Sequence, residues 1–224
     1  MESIPHEVFL SILDCLGAHN RDLLPYVAVS RHWQNTIERR VFRRFRRLTD
    51  ADLPGFADLF RDAQAHRKAL VKAIEFNVRS LPEYEGNDCH RHEEINNQLY
   101  TAAVFELFRI LESFNDDEGV QNGDGLELTF SSISSPSDKF FTQGDGPGIS
   151  SKFIRVLEPE KLPSVSCVST FRSGRVFFTR CPDPASMMLV ANKLPRLQRL
   201  DLGFNNDQDY VDSDTQKRMR HGTY

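Results

Sequence analysis

Residues 73–79, AIEFNVR, and residues 93–114, EEINNQLYTAAVFELFRILESF, decide the fold class. In the first, Ile74, Phe76 and Val78 alternate with Glu75, Asn77 and Arg79, the period of two expected of a half-buried strand. In the second, Leu99, Ala103, Leu107, Leu111 and Phe114 recur at helical spacing with Tyr100, Val104 and Phe108 beside them, which predicts an amphipathic helix of about six turns. A strand followed by a long helix is the repeating unit of an α/β fold.

The alternation continues towards the C-terminus. GLELTFSS (125–132) sets Leu126, Leu128 and Phe130 on one face, LPSVSCVSTF (162–171) is a third candidate strand, DPASMMLVANKL (183–194) reads as a helix and LQRLDLGFN (197–205) as a fourth strand. This last piece fits L-x-x-L-x-L-x-x-N, the strand signature of leucine-rich repeats, through Leu197, Leu200, Leu202 and Asn205. Val71, Ile74 and Phe76 fit it in part. The strand centres, near Ile74, Leu126, Val165 and Leu200, are about 52, 39 and 35 residues apart, against about 20–29 in ordinary repeats. The expected fold is therefore α/β: a body over residues 69–205 built as an irregular leucine-rich-repeat-like β/α solenoid arc, with an α/β sandwich as the other architecture that gives this pattern. Residues 134–151, SSPSDKFFTQGDGPGISS, read as a mobile insertion and residues 206–224 as a polar tail. Solenoids close on a polar capping repeat; with only the short tail after the fourth strand, the expectation is an exposed last strand in a chain shortened from a longer form.

The first 47 residues differ from the rest in charge. They hold eight arginines against five acids, net +3, so the remainder carries −7 of the chain's overall −4. Pro5 suits the first turn of a helix, and Ile4, Val8, Ile12 and Leu16 then share one face, widened by Phe9 and Leu13. Asn20 is a candidate cap for a short second helix containing Pro25, and Ser30 for a third in which Trp33, Ile37 and Val41 recur every fourth residue. A further helix over 48–68 links this unit to the body. Three short helices with no metal set and no cysteine pair cannot bury their own apolar surface, and helix one is apolar around more of its circumference than one buried face needs. Its surplus must be covered by the rest of the chain or by another protein.

IPHEVFLSILDCL (4–16) followed by DLLPYVAVSRHW (22–33) resembles the F-box, whose pattern is a Leu-Pro or Ile-Pro start, a nearby Glu, spaced aliphatics, a central Leu-Leu and a closing Val-Ser-Arg-x-Trp. The resemblance covers residues 1–47, about a fifth of the chain. It implies docking to the Skp adaptor, and through it to a cullin, with Ile4, Pro5, Glu7, Val8, Ile12, Leu16, Leu23, Leu24, Val27, Ser30 and Trp33 as the adaptor-binding set. Trp33 reads more readily as core than as contact, and Pro25, directly after the Leu-Leu pair, departs from the pattern of the second helix. An F-box joined to an irregular repeat body implies a substrate receptor of a ubiquitin ligase, with the target protein held on the strands. A non-catalytic repeat scaffold acting outside a ligase is the alternative.

Other classes find little to rest on. There is no basic, uninterrupted N-terminal apolar run of the secretory kind and no window of about 18 apolar residues, so a soluble chain of the cytoplasm or nucleus, without a membrane partner, is expected. Cys15, Cys89, Cys167 and Cys181 are scattered and read as reduced thiols. Cys89, His90 and His92 lack the second ligand pair of a structural zinc site. Asp207, Asp209, Asp212 and Asp214 lack the Gly and Glu of a calcium loop, and GDGPG lacks the Lys-Ser/Thr of a phosphate loop. No nucleophile elbow or Cys/His pair appears, so no cofactor, metal or catalytic residue is assigned. RRVFRRFRR (39–47) could serve nuclear import or nucleic-acid binding. Without a second basic patch or an aromatic platform it is read as a solvated helix end, with no nucleic-acid partner.

Overall fold

The strand-forming alternations pair with one another in a single open sheet. The computed structural model describes residues 6–16, 20–79, 89–115, 125–131, 153–173 and 181–203. Its elements run α1 (His6–Leu16), a 3-10 segment (Asn20–Ala28), α2 (Arg31–Val41), β1 (Arg44–Thr49), a 3-10 turn (Asp50–Asp52) leading into α3 (Leu53–Asp58), a second 3-10 segment (Asp62–Leu70) and β2 (Ala73–Asn77). There follow α4 (Cys89–Glu112), β3 (Leu126–Phe130), β4 (Phe153–Ile154), a 3-10 turn (Pro159–Lys161), β5 (Val168–Ser173), β6 (Cys181–Pro182), α5 (Pro184–Ala191) and β7 (Arg199–Leu202). The sheet has the order β1-β2-β3-β5-β7, every neighbour pair parallel, and β4 pairs β6 in a separate two-stranded sheet. The fold is mixed α/β with an open parallel sheet whose strands lie side by side in chain order.

One face of the sheet is dry. Ile74, Phe76, Leu126, Leu128, Phe130, Val168 and Phe171 are all at most 1% exposed, and the rings of Phe76, Phe130 and Phe171 form a row across three strands with centroids 5.8 and 5.3 Å apart. The same core takes in Tyr100, Val104, Leu107, Phe108, Leu111 and Phe114 from the predicted face of α4. Asn97 and Asn115, beside that face, accept hydrogen bonds at 2.8 Å from the backbone N–H groups of Arg155 and Ser166. Thr101 Oγ1 likewise accepts from Leu157 N–H at 2.8 Å, so irregular backbone beside the helix is satisfied without a ladder.

Four expectations are corrected, in whole or in part. The arginine run is a helix end only in its first part: Arg39 and Arg40 close α2, which stops at Val41, whereas Arg44–Thr49 is the edge strand of the sheet. Phe45 pairs with Ile74 and Leu48 with Phe76, so Arg46 and Arg47 together oppose Glu75 in a bulge, with Arg47 at φ 60°. The third strand begins at Val168 and does not centre on Val165. Val165 instead donates its N–H to the Lys193 carbonyl beyond α5, at 2.8 Å. The segment Asn20–Ala28 winds as 3-10 helix with Pro25 inside it, and the expected linking helix over 48–68 is broken into the end of β1, α3 and 3-10 turns. Residues 134–151 and 206–224, expected as insertion and tail, lie outside the described residues, as does Asn205.

The N-terminal helices have a small core of their own, Phe9, Leu13, Leu23 and Ile37, with Trp33 and Tyr26 packed against it. Ser30 starts α2 as foreseen, its Oγ accepting the Trp33 N–H at 3.3 Å. No helix among the described residues is long and apolar enough to cross a membrane.

Candidate interaction surfaces

Two surfaces stand out, one on α1 and one on the sheet. On α1, Phe9 and Leu13 turn into the small core at 2% and 0% exposure, and at 100° per residue Val8, Ile12 and Leu16 form the next stripe round the helix. Val8 and Leu16 are exposed, at 50% and 37%, and Ile12 is half-buried. Val29, at the end of the following segment, is 59% exposed. The helix therefore carries a covered apolar stripe and an open one side by side.

The other expected adaptor residues fall into three groups. Glu7 and Ser30 are exposed, and Val27 is half-buried and packs against the small core. Leu23 is fully buried and Trp33 packs edge-on to Phe9 with centroids 4.9 Å apart, so both are structural members of the small core in this conformation. Ile4 and Pro5, and the side chain of Leu24, lie outside the described residues.

The second surface is the outer face of the sheet. Glu75, Glu127, Thr129, Thr170 and Arg172, which alternate with the buried row, remain partly open. Arg172 pairs with Glu127 at 3.0 Å across β5 and β3, and Ser131 Oγ donates to Glu75 Oε1 at 2.9 Å. An ion pair this open contributes at most about 1 kcal/mol, so its groups exchange readily for those of a visitor. Parallel sheets are ordinarily covered on both faces; here the second face is polar and uncovered by the described elements. Glu75 was visible in the sequence as the outward partner of Ile74 and Phe76. Arg172 was hidden because the strand that carries it was placed too early.

Between the two surfaces lies a buried carboxylate. Glu38 on α2 accepts from Arg67 at 2.7 Å, from Gln34 at 3.3 Å and pairs with His66 at 3.2 Å. Burial acts to raise its pKa, but the bonds from Arg67, Gln34 and His66 and the Arg67 charge outweigh it and hold the carboxyl below the usual range. The Arg67 guanidinium also lies over the Phe42 ring, 4.8 Å from its centroid.

Among the described residues no group of three or more His, Cys, Asp or Glu is placed to hold a metal. Cys89, His90 and His92 start α4, with side chains outside the described set; the aspartates of the tail and GDGPG lie wholly outside it. No protein-family model, curated protein or solved structure matches the chain.

Proposed function

We propose that this chain is a substrate receptor of a Skp-cullin-F-box ubiquitin ligase, with residues from the N-terminal helices docking the Skp adaptor and the body holding a target protein. The observation that carries the reading is the open stripe Val8, Ile12 and Leu16, set beside a covered one in a helix whose residues follow the order of the F-box pattern. The body fits the irregular leucine-rich-repeat-like arc. Parallel strands in chain order mean that each crossover steps to the next strand, and crossovers of one hand then leave one face free. On this reading the target lies on the polar face about Glu75, Glu127 and Arg172, in the cytoplasm or nucleus. The mechanism is tethering, which raises the target's effective concentration beside catalytic subunits of the complex, and the chain itself performs no covalent step.

Titration of the purified chain with recombinant Skp adaptor tests this. Val8→Glu combined with Leu16→Glu changes exposed positions, so the melting temperature should hold while adaptor affinity falls at least about tenfold, equivalent to about 1.4 kcal/mol. A folded wild-type chain that does not bind the adaptor ends the ligase reading.

A further inference from the structure

A groove of about 580 Å³ opens where the end of α2 meets the starts of β2, β3 and β5. Three cations line it: Arg39 from the last turn of α2, Arg43 from the corner before β1, and Lys72 from the residue before β2. None of the three side chains has an ion pair or hydrogen bond among the described residues. The single carboxylate on the wall, Glu127, is engaged by Arg172. Cations gathered from separate elements and left unpaired repel one another, and an anion relieves that repulsion.

The groove is held in shape by backbone. The Arg43 carbonyl accepts both the Lys72 and the Ala73 N–H, at 2.9 and 3.1 Å, so the corner that carries Arg43 is fixed against the chain at Lys72. The Lys72 carbonyl accepts the Glu127 N–H at 2.9 Å. On the far wall Ser169 is the extra residue of a second bulge, since Leu126 pairs with Val168 and Glu127 with Thr170. Opposite it Gly125 sits at φ 77°, where a Cβ would come within 2.4 Å of the Ser169 Cβ. A bulge facing a position restricted to glycine re-aims the start of β5 and brings Ser169 and Thr170 to the wall.

We propose that this groove binds a small phosphate ester carrying at least two phosphate groups. Three positive charges balance a diphosphate better than a single carboxylate. The volume lies within the roughly 300–1,000 Å³ of small-ligand sites and far exceeds one phosphate. Ala69 and Leu70 give the organic part an apolar wall. The site stands apart from the ligase reading, because neither the α1 stripe nor any adaptor contact enters it.

The test is calorimetric titration of the full chain with inorganic pyrophosphate at constant ionic strength, with sulfate as the anion control and a phosphoserine peptide as a third probe. Saturable pyrophosphate binding, at least tenfold tighter than sulfate, is expected. Arg43→Gln with Lys72→Gln should weaken it at least tenfold, whereas Arg46→Gln with Arg47→Gln, exposed and outside the groove, should change it less than twofold. Arg39→Gln alone, at an exposed helix position, gives the same reading should the double variant fold poorly. Absence of saturation, parity with sulfate, or equal loss in the Arg46/Arg47 variant would overturn the site. A phosphopeptide that binds more tightly than pyrophosphate would overturn the small-molecule assignment.

Discussion

Glu38 joins α2 to the 3-10 segment before β2, and its environment sets the sign of a pH effect. Its carboxyl is held below the ordinary range in the folded chain, so the unfolded chain binds the proton more readily. The stability it contributes is complete above the unfolded value of about 4.3 and is lost as pH falls through the folded value. Glu38→Gln should therefore lower stability by about 1–3 kcal/mol at pH 7 and flatten the acid limb, which urea denaturation at pH 7 and pH 4 will show. The cysteines offer a second check at this scale. Cys167 is buried, its Sγ near the Leu111 carbonyl at 3.7 Å, and burial pushes its thiol up to about 12, whereas Cys15 is exposed. Alkylation at pH 8 followed by peptide mapping should find Cys15 modified in the native chain and Cys167 only after unfolding.

At the scale of elements the phenylalanine row makes the strands interdependent. Phe130 lies between Phe76 and Phe171 and is 1% exposed, so Phe130→Ala should cost about 3–5 kcal/mol. The bulge in β1 predicts a register effect. Arg46 and Arg47 together oppose Glu75, and removing one of them would leave Phe45 and Leu48 two places apart on the same buried face; a glycine inserted after Arg47 instead moves Leu48 one place on, to the polar face. A lower urea midpoint for the insertion than for Arg47→Gly, which keeps the count and suits φ 60°, is the expected result. Both bulges also explain what the sequence concealed. Ile74, Phe76 and Leu126, Leu128, Phe130 keep a period of two and were legible as strands. Phe45 and Leu48 lie three residues apart, as do Val168 and Phe171, because an extra residue intervenes, and that spacing imitates a helix. The α1 stripe was legible because helical period survives intact from Val8 to Leu16. The cationic groove was not, since its residues come from four distant stretches and only backbone pairing unites them.

For the whole molecule, the boundary between its two cores falls at the C-terminal end of α2, between Val41 and Phe42. Ile37 belongs to the small N-terminal core and Phe42, five residues on, to the large one. Deleting residues 1–47 removes most of β1 along with the helices and strips the edge of β2, so that truncation should be less stable and more prone to aggregate than deletion of residues 1–41. Light scattering of the two truncations at equal concentration checks this, and it argues for point changes on α1 over truncation when adaptor binding is measured.

Because α2 is packed into the small core and its C-cap Phe42 into the large one, the helix also acts as a gauge. One inserted residue between Ile37 and Phe42 would swing the N-terminal helices about 100° around the α2 axis and move them about 1.5 Å along it. Whatever grips the Val8 stripe is thereby held at a set bearing to whatever rests on the Glu75 face. The handful of residues from Ile37 to Phe42 thus sets which side of a held protein is turned towards the machinery attached at the other end.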